Sequence, residues 1–217
     1  MIKTENAEVY GWEAAIRGMR NPMNSWDKST SINVSPQKFW LCHADQRLME
    51  QLVAAGESHS KFLRMITVTV DITAPLYWWK EFDTYKIGTV ANSCSTMHSI
   101  HKRDFTLDDF STDHLIPKMK EYMDIIIFTL NAWRRLFNET GEKECWWQMI
   151  QLLPSSYNQR RTVQLNYAVL RRMYFDRRHH KLDEWRAFCK WLSSLPYADV
   201  LLTSKRRSDD ETSQGNT

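Results

Sequence analysis

The chain has 217 residues, 42% of them hydrophobic, and a formal net charge of +3, so it can bury a sizeable core but is too weakly basic for its charge alone to indicate nucleic-acid binding. Its four cysteines lie far apart without metal-ligand spacing, which predicts reduced thiols and no metal site. The longest apolar run, 125–128, is far shorter than the roughly 20 residues of a membrane span, and 1–6 lacks the apolar core of a signal peptide. We therefore expect a soluble, cytoplasmic protein.

The first forty residues carry few clear signals of secondary structure. We expect a short helix over 12–19, which the Asn21-Pro22 pair ends. The segment 25–35 is polar, with four serines, so we expect a turn-prone loop there that can act as a flap beside a ligand. Helical apolar spacing predicts a second helix over 43–55.

The segment from Met65 to Ser99 is the most informative part of the chain. Apolar and polar residues alternate over 65–73, which predicts a half-buried strand. Pro75 then begins an aromatic helix, because proline suits the first helical turn. The density of hydrogen-bonding side chains that follows favours a bound polyanion or heterocycle over a packed core. These side chains are Tyr85, Lys86, Thr89, Asn92, Ser93, Cys94, Ser95 and Thr96.

A long helix is predicted in the second half of the chain. Thr112 and Asp113 suit its N-cap, Pro117 falls in its first turn, and the segment 138–141 ends it. Its apolar residues form a seam that packs against another helix, either inside the subunit, which is favoured, or across an oligomer interface. The seam consists of Ile116, Met119, Met123, Ile126, Leu130, Trp133 and Phe137.

An arginine-rich segment is predicted to form another long helix between helices over 143–152 and 182–192. One stripe of this helix consists of Asn166, Leu170, Met173 and Arg177, and a second of Arg160, Gln164, Arg171 and Arg178. The concentration of cations is either a phosphate-binding face or a solvated helix surface. Arginine's planar fork suits phosphate and pyrimidine carbonyl groups alike.

These elements predict a single α+β domain over 1–203. The remaining residues, 204–217, contain no apolar side chain, which predicts a disordered polar tail. Two tryptophan doublets either stack on a bound ring or, by default, pack in the core. They are Trp78-Trp79 and Trp146-Trp147.

The order of strand, Ala-Pro, aromatic helix, basic residue and Ser/Asn-rich loop resembles the flavin-dependent thymidylate synthases. That family carries an Arg-His-Arg…Ser…Ser…Arg signature after such a strand. Aligned without gaps, 84–86 (Thr-Tyr-Lys) falls on Arg-His-Arg, Cys94 on the second Ser, and Thr96 on the final Arg, which grips the nucleotide phosphate in the family. Within the Arg-His-Arg triplet, only Lys86 keeps a basic side chain.

Two further blocks of sequence are similar to the family in the same order. An amphipathic helix ending at Gly56 precedes His59, where the family has a histidine that touches the flavin. Downstream of Leu153-Pro154, Arg160, Asn166 and Arg177 follow at the family's spacing. The resemblance covers roughly residues 10–200.

The resemblance implies a twisted, mainly antiparallel sheet flanked by long helices, and a homotetramer or dimer with shared sites. It implies binding of or action on a uracil nucleotide, with FAD as cofactor and methylenetetrahydrofolate as carbon donor if the chain is an active methyltransferase. Flavin binding should be weakened, because Thr84 and Tyr85 replace two basic residues. The alternatives are a non-catalytic nucleotide-binding relative and a structural role on the same scaffold.

The resemblance also implies roles for particular residues. The flavin contacts would be His59, Lys86 and Asn166, and the nucleotide contacts would be Arg160, Cys94, Ser95, Thr96 and Arg177. Arg177 is the expected catalytic residue, because the family's arginine at that position polarises the pyrimidine. Taken alone, His59 reads as a surface histidine, and Cys94 as either a nucleophile or, more commonly, a buried spectator.

Overall fold

The computed structural model describes residues 2–35 and 38–204 of the chain. The predicted polar tail therefore falls outside the described residues from 205 onward. Strands occupy Lys3–Tyr10 (β1), Ile32–Ser35 (β2), Lys38–Trp40 (β3), Thr67–Pro75 (β4), Thr89–Ser93 (β5) and Asn158–Asn166 (β6). Helices occupy Trp12–Arg20 (α1), His43–Ala54 (α2), Leu76–Phe82 (α3), Thr96–Ser99 (α4), Pro117–Thr140 (α5), Lys143–Leu152 (α6), Tyr167–Arg177 (α7), Asp183–Leu192 (α8) and Ala198–Leu201 (α9).

A four-stranded antiparallel sheet with the order β1-β4-β6-β5 is the central element of the fold. In β4, apolar residues that alternate along the strand are fully buried, as the sequence predicts for one face of a sheet. They are Val68, Val70, Ile72 and Ala74. Strands β2 and β3 form a separate antiparallel hairpin. The predicted α+β class, with an antiparallel sheet and long helices, is confirmed.

The described residues divide into two compact units. The first unit comprises 2–3, 71–84 and 91–162, and the second comprises 4–35, 38–70, 85–90 and 163–204. All four strands of the central sheet, β1, β4, β5 and β6, contribute residues to both units.

The core of the first unit forms around α5 and α6. Met123 and Leu130 of α5 are buried together with Met149 of α6, and Ile126, Trp133 and Phe137 pack against them. The predicted apolar seam is therefore an intrachain core from Met123 onward, which confirms the favoured alternative. Ile116 and Met119, at the start of the seam, are exposed.

The tryptophan doublets differ in burial. Trp78 and Trp79 are buried, with ring centroids 4.9 Å apart in an edge-to-face arrangement. The indole N–H of Trp79 donates to the Gln159 carbonyl at 2.9 Å, which satisfies its buried donor. Core packing is thus confirmed for this doublet. Trp146 is half-buried against the α5–α6 core, and Trp147 is exposed.

A buried ion pair links α1 to α2 in the second unit. The Arg20 Nε atom donates to Asp45 Oδ1 at 2.6 Å, and both residues are buried. Hydroxyls of Ser29 and Ser31 and the thiol of Cys42 donate to the other carboxylate oxygen. Burial alone would raise the pKa of the Asp45 carboxyl, but these hydrogen bonds and the guanidinium hold it below its ordinary value.

The prediction of one long helix through Arg160 and Arg177 is wrong, because 158–166 forms β6 and α7 begins only at Tyr167. Along β6, buried Gln159, Val163 and Leu165 alternate with exposed Arg160, Thr162 and Gln164, which is the period of a strand. The predicted second stripe therefore does not exist, since its first two members lie on a strand. The stripe from Asn166 to Arg177 remains a face of α7.

Other local predictions also need correction. Strand β1 carries no sequence signal that we recognised, and β2 lies where a loop was expected, although a 3₁₀ turn over Trp26–Lys28 agrees with part of that loop. The N-cap of α5 is Ile116 rather than Thr112 or Asp113. The Leu115 N–H donates to the Thr112 carbonyl at 3.1 Å, so a separate turn precedes the helix.

We predict that Arg20→Leu lowers the free energy of unfolding by about 3–5 kcal/mol, because the buried Asp45 carboxylate loses its cationic partner. Denaturant unfolding followed by tryptophan fluorescence measures this loss. Arg186→Leu, which breaks an exposed pair with Asp183, is the matched control and should cost less than about 1 kcal/mol. Similar losses in both variants would contradict a special role for the buried pair.

Candidate functional site

The end of the segment aligned with the family signature, 94–96, borders a cavity of about 420 Å³ in the first unit. We call it the loop cavity. Its lining includes Cys94, Ser95, Thr96 and Arg160, which are all the predicted nucleotide contacts that belong to this unit. It also includes charged residues that the sequence interpretation missed: Lys102, Arg103, Asp104, Asp108 and Asp109. The only sequence signal for the missed cations was their position directly after the Ser-rich loop.

Two hydrogen bonds to β6 hold Cys94 in place, one from the backbone and one from a side chain. The Cys94 N–H donates to the Arg160 carbonyl at 2.9 Å, and the Gln159 side-chain amide donates to the Cys94 carbonyl at 3.0 Å. Ser95 then caps α4 by accepting the His98 N–H at 3.2 Å. Cys94 is exposed, so the expectation of a buried spectator is wrong for this residue, whereas the other three cysteines are buried.

Most charges that line the loop cavity are paired. Arg160 donates to Asp71 at 2.8 Å, and both terminal nitrogens of Arg103 donate to the carboxylate of Asp109. Burial would raise the pKa of the Asp109 carboxyl, but hydrogen bonds from Arg103 and Thr106 hold it below its ordinary value. Such fixed pairs orient guanidinium groups without leaving a net positive charge.

A second cavity, of about 360 Å³, lies in the second unit where β6 meets α7, and we call it the junction cavity. Its lining includes Gly56, Glu57, Ser60, Leu63, Arg64, Ile87, Gly88, Asn166, Val169, Arg171 and Arg172. Both cavities have sizes within the usual range of ligand pockets, about 300–1,000 Å³.

Asn166 occupies the junction itself. Its Oδ1 atom accepts the Val169 N–H at 3.1 Å, which makes Asn166 the N-cap of α7 and leaves the amide nitrogen as a donor. A Cβ atom at Gly88 would lie 2.7 Å from that nitrogen, and Gly88 has φ +78°. The left-handed backbone therefore favours glycine here, and a side chain would also displace the Asn166 amide.

The other predicted flavin contacts do not line the junction cavity. His59 and Lys86 are exposed, although their neighbours Ser60 and Ile87 belong to the lining. Of the predicted flavin contacts, only the Asn166 side chain is part of this cavity. Arg172, which lies off the Asn166–Arg177 stripe, lines it as well.

Arg177 is half-buried at the end of α7. Its Nε atom donates to the Tyr85 hydroxyl at 3.0 Å, and its guanidinium lies 4.8 Å from the ring centroid of Trp185. The same Tyr85 hydroxyl lies 3.2 Å from a carboxylate oxygen of Asp176. Burial raises the pKa of Tyr85, so the phenol stays protonated and able to donate. Tyr85, which the resemblance aligns with a basic signature residue, thus packs against the predicted catalytic arginine.

Among the described residues, neither a metal-ligand cluster nor a membrane-spanning helix is found. Within residues 2–35 and 38–204, no group of three or more His, Cys, Asp or Glu side chains is arranged to hold a metal ion. None of the described helices combines the length and the hydropathy that crossing a bilayer requires.

The sheet order and the arrangement of helices define a known fold, that of the flavin-dependent thymidylate synthases. No protein-family model and no curated protein matches the sequence, so the likeness lies in the structure. A Helicobacter pylori flavin-dependent thymidylate synthase, ThyX, solved with FAD and dUMP, is 15% identical, with a TM-score of 0.65 over 92% of this chain and 98% of its own. A second structure of that enzyme, also with FAD and dUMP, gives 15% identity and a TM-score of 0.66 over 94% and 98%.

A UMP/dUMP methylase, PolB from Streptomyces cacaoi, bound with 5-Br dUMP, has a similar fold. It is 11% identical, with a TM-score of 0.63 over 92% of this chain and 91% of its own. The resemblance inferred from the sequence is confirmed at the level of the fold.

We predict that Arg177→Ala lowers the free energy of unfolding by about 1–3 kcal/mol, because it removes a cation–π contact with Trp185 and the hydrogen bond to Tyr85. Thermal and denaturant unfolding measure the change. Arg172→Ala, whose side chain is 74% exposed, should alter stability by less than about 0.5 kcal/mol. If Arg177→Ala is as mild as this control, the packing role is refuted.

Proposed function

We propose that this chain binds a uracil nucleotide in the loop cavity, on a fold that it shares with nucleotide methylases. The observation that carries the proposal is the grouping of Cys94, Ser95, Thr96 and Arg160 around one cavity, since the resemblance independently assigns these residues to the nucleotide. The structures of similar fold were solved with dUMP or 5-Br dUMP.

The chemistry of the lining suits such a ligand. Ser95 and Thr96 offer hydroxyl donors and acceptors, and Asn158 offers an amide that matches the alternating carbonyl and imide groups of uracil. Arg160 is oriented by its ion pair with Asp71, and its side chain is 45% exposed in the lining of the cavity. Tyr157, half-buried beside them, supplies an aromatic wall for a base.

We propose the junction cavity as a reduced flavin site. The bare backbone at Gly88 lets a planar or phosphate-bearing group approach the Asn166 amide, and Arg64 and Arg172 supply positive charge for a dinucleotide phosphate. A bound, reduced flavin would supply the hydride for methyl-group formation. The carboxylate of Glu57 in the lining would repel the phosphates of FAD. This agrees with the weakened flavin binding that we expect from Thr84 and Tyr85.

If catalysis survives, methylenetetrahydrofolate would be the carbon donor, and Arg177 would stabilise negative charge developing on the pyrimidine. A second candidate function is nucleotide binding without catalysis. The contact between Arg177 and Tyr85 favours it, because Arg177 Nε donates to a hydroxyl of its own chain and its guanidinium stacks on Trp185. An assay for formation of dTMP from dUMP, with reduced FAD and methylenetetrahydrofolate, separates the two candidates. Product formation supports the enzyme, and dUMP binding without product supports the non-catalytic function.

We also propose that the chain forms a homo-oligomer, a dimer or a tetramer. Ile87 and Val90, before and within β5, are 91% and 67% exposed, and α5 presents Tyr122, Ile125 and Phe128 to solvent. Exposed apolar patches of this kind commonly mark contact surfaces. A site shared between subunits would place the signature segment against a second copy.

We predict that the wild-type protein binds dUMP in isothermal titration calorimetry, and that Arg160→Gln weakens binding by about tenfold or more through loss of a charge-assisted contact. Arg135→Gln, an exposed arginine on α5 outside the lining, is the control and should bind as wild type. Absence of dUMP binding by folded wild-type protein would refute the proposed function.

For the flavin, we predict that Asn166→Ser weakens FAD binding, measured by quenching of flavin fluorescence, while the melting temperature barely changes. Serine keeps the acceptor that caps α7 but removes the amide donor. Asn166→Ala removes both and should also cost about 1 kcal/mol of stability. If the Asn166→Ser variant binds FAD with the affinity of the wild type, as measured by fluorescence quenching, the asparagine acts only as a helix cap.

A further inference from the structure

The loop cavity lacks a cation at the position where the resemblance predicts one. Thr96 lines the cavity, but its hydroxyl is neutral, and the two arginines of the lining are engaged with acids of the same unit. Arg160 is bound to Asp71, and Arg103 is bound to Asp109 through both terminal nitrogens. A phosphate dianion entering this cavity needs a positive charge that is not already neutralised.

Lys102 meets this requirement. It lines the same cavity, is exposed, and forms no side-chain ion pair or hydrogen bond within the part of the chain that the structure describes. Its position is set by the backbone, because the Lys102 N–H donates to the Ser99 carbonyl at 3.0 Å in the turn that follows α4. The ammonium group is therefore delivered by the same short segment that carries Ser95 and Thr96.

We propose that Lys102 binds the phosphate of a uracil nucleoside monophosphate, in place of a cation at position 96. The proposal rests on the proposed function of the loop cavity. Lysine contributes a compact, mobile point charge, whereas arginine imposes a bidentate geometry. The site therefore selects for the presence of a phosphate group and tolerates variation in its orientation.

The negative charge of Asp108 counteracts the attraction between Lys102 and a phosphate group. It is an exposed carboxylate in the same lining, whereas Asp104 is paired with Arg134 and Asp109 with Arg103. The charges of Lys102 and Asp108 oppose each other toward an incoming anion. Neutralising Lys102 should consequently lower the affinity for a phosphate-bearing ligand, and neutralising Asp108 should raise it.

The test compares dUMP with deoxyuridine, which has the same base and sugar but no phosphate. Binding of both is measured by titration calorimetry for the wild type, Lys102→Gln, Asp108→Asn and Lys120→Gln. Lys120, an exposed lysine on α5 outside the lining, is the matched control. We expect Lys102→Gln to lose about tenfold or more in dUMP affinity, with deoxyuridine affinity unchanged. We expect Asp108→Asn to bind dUMP more tightly.

Adding Thr96→Arg to Lys102→Gln should restore dUMP binding, because it returns a cation to the same cavity. The inference is overturned if the wild type binds dUMP and Lys102→Gln binds it equally well, or if that variant loses both ligands alike. If the wild type binds neither dUMP nor deoxyuridine, the proposed function itself is overturned. Raised ionic strength should weaken dUMP binding by the wild type more than by Lys102→Gln.

Discussion

The burial of one face of β4 is the constraint on which the rest of this fold depends. Alternate residues from Val68 to Ala74 are fully buried, so a slip of one residue in register would expose all of them. The opposite face is thereby fixed as well. There, Asp71 accepts hydrogen bonds from Arg160 and Thr162 of the neighbouring strand β6. The register that buries the core also orients a predicted nucleotide contact.

The junction between β6 and α7 combines a structural and a potential binding role in one residue. The carbonyl oxygen of the Asn166 side chain caps α7, and its amide nitrogen is packed so closely to Gly88 that a side chain there would collide with it. A helix cap and a ligand donor need different atoms of the same amide, so one residue can serve both. Similarity in sequence at such a position therefore cannot by itself separate structure from function.

Tyr85 belongs to an aromatic and cationic cluster of the second unit. Tyr85 lies where the family has a basic residue, and its hydroxyl accepts from Arg177, whose guanidinium stacks on Trp185. In the first unit, arginines of the loop cavity are balanced by Asp71 and Asp109. These ion pairs lower the net positive charge that the loop cavity offers to an anionic ligand.

The sequence alone determined the elements whose periodicity is strong and local: the alternating β4, the helices α2 and α6, and the seam of α5. It also indicated the fold, because three blocks of residues that resemble the flavin-dependent thymidylate synthases follow one another in the family's order. Only the tertiary structure decided that 158–166 is a strand, since a short polar segment rich in arginine suits either state until it pairs with β4. Only the tertiary structure brought Lys102 and Arg103 to the cavity of Cys94 and set Arg177 against Trp185. Those contacts depend on where the chain turns, and hydrophobic periodicity does not encode the direction of a turn.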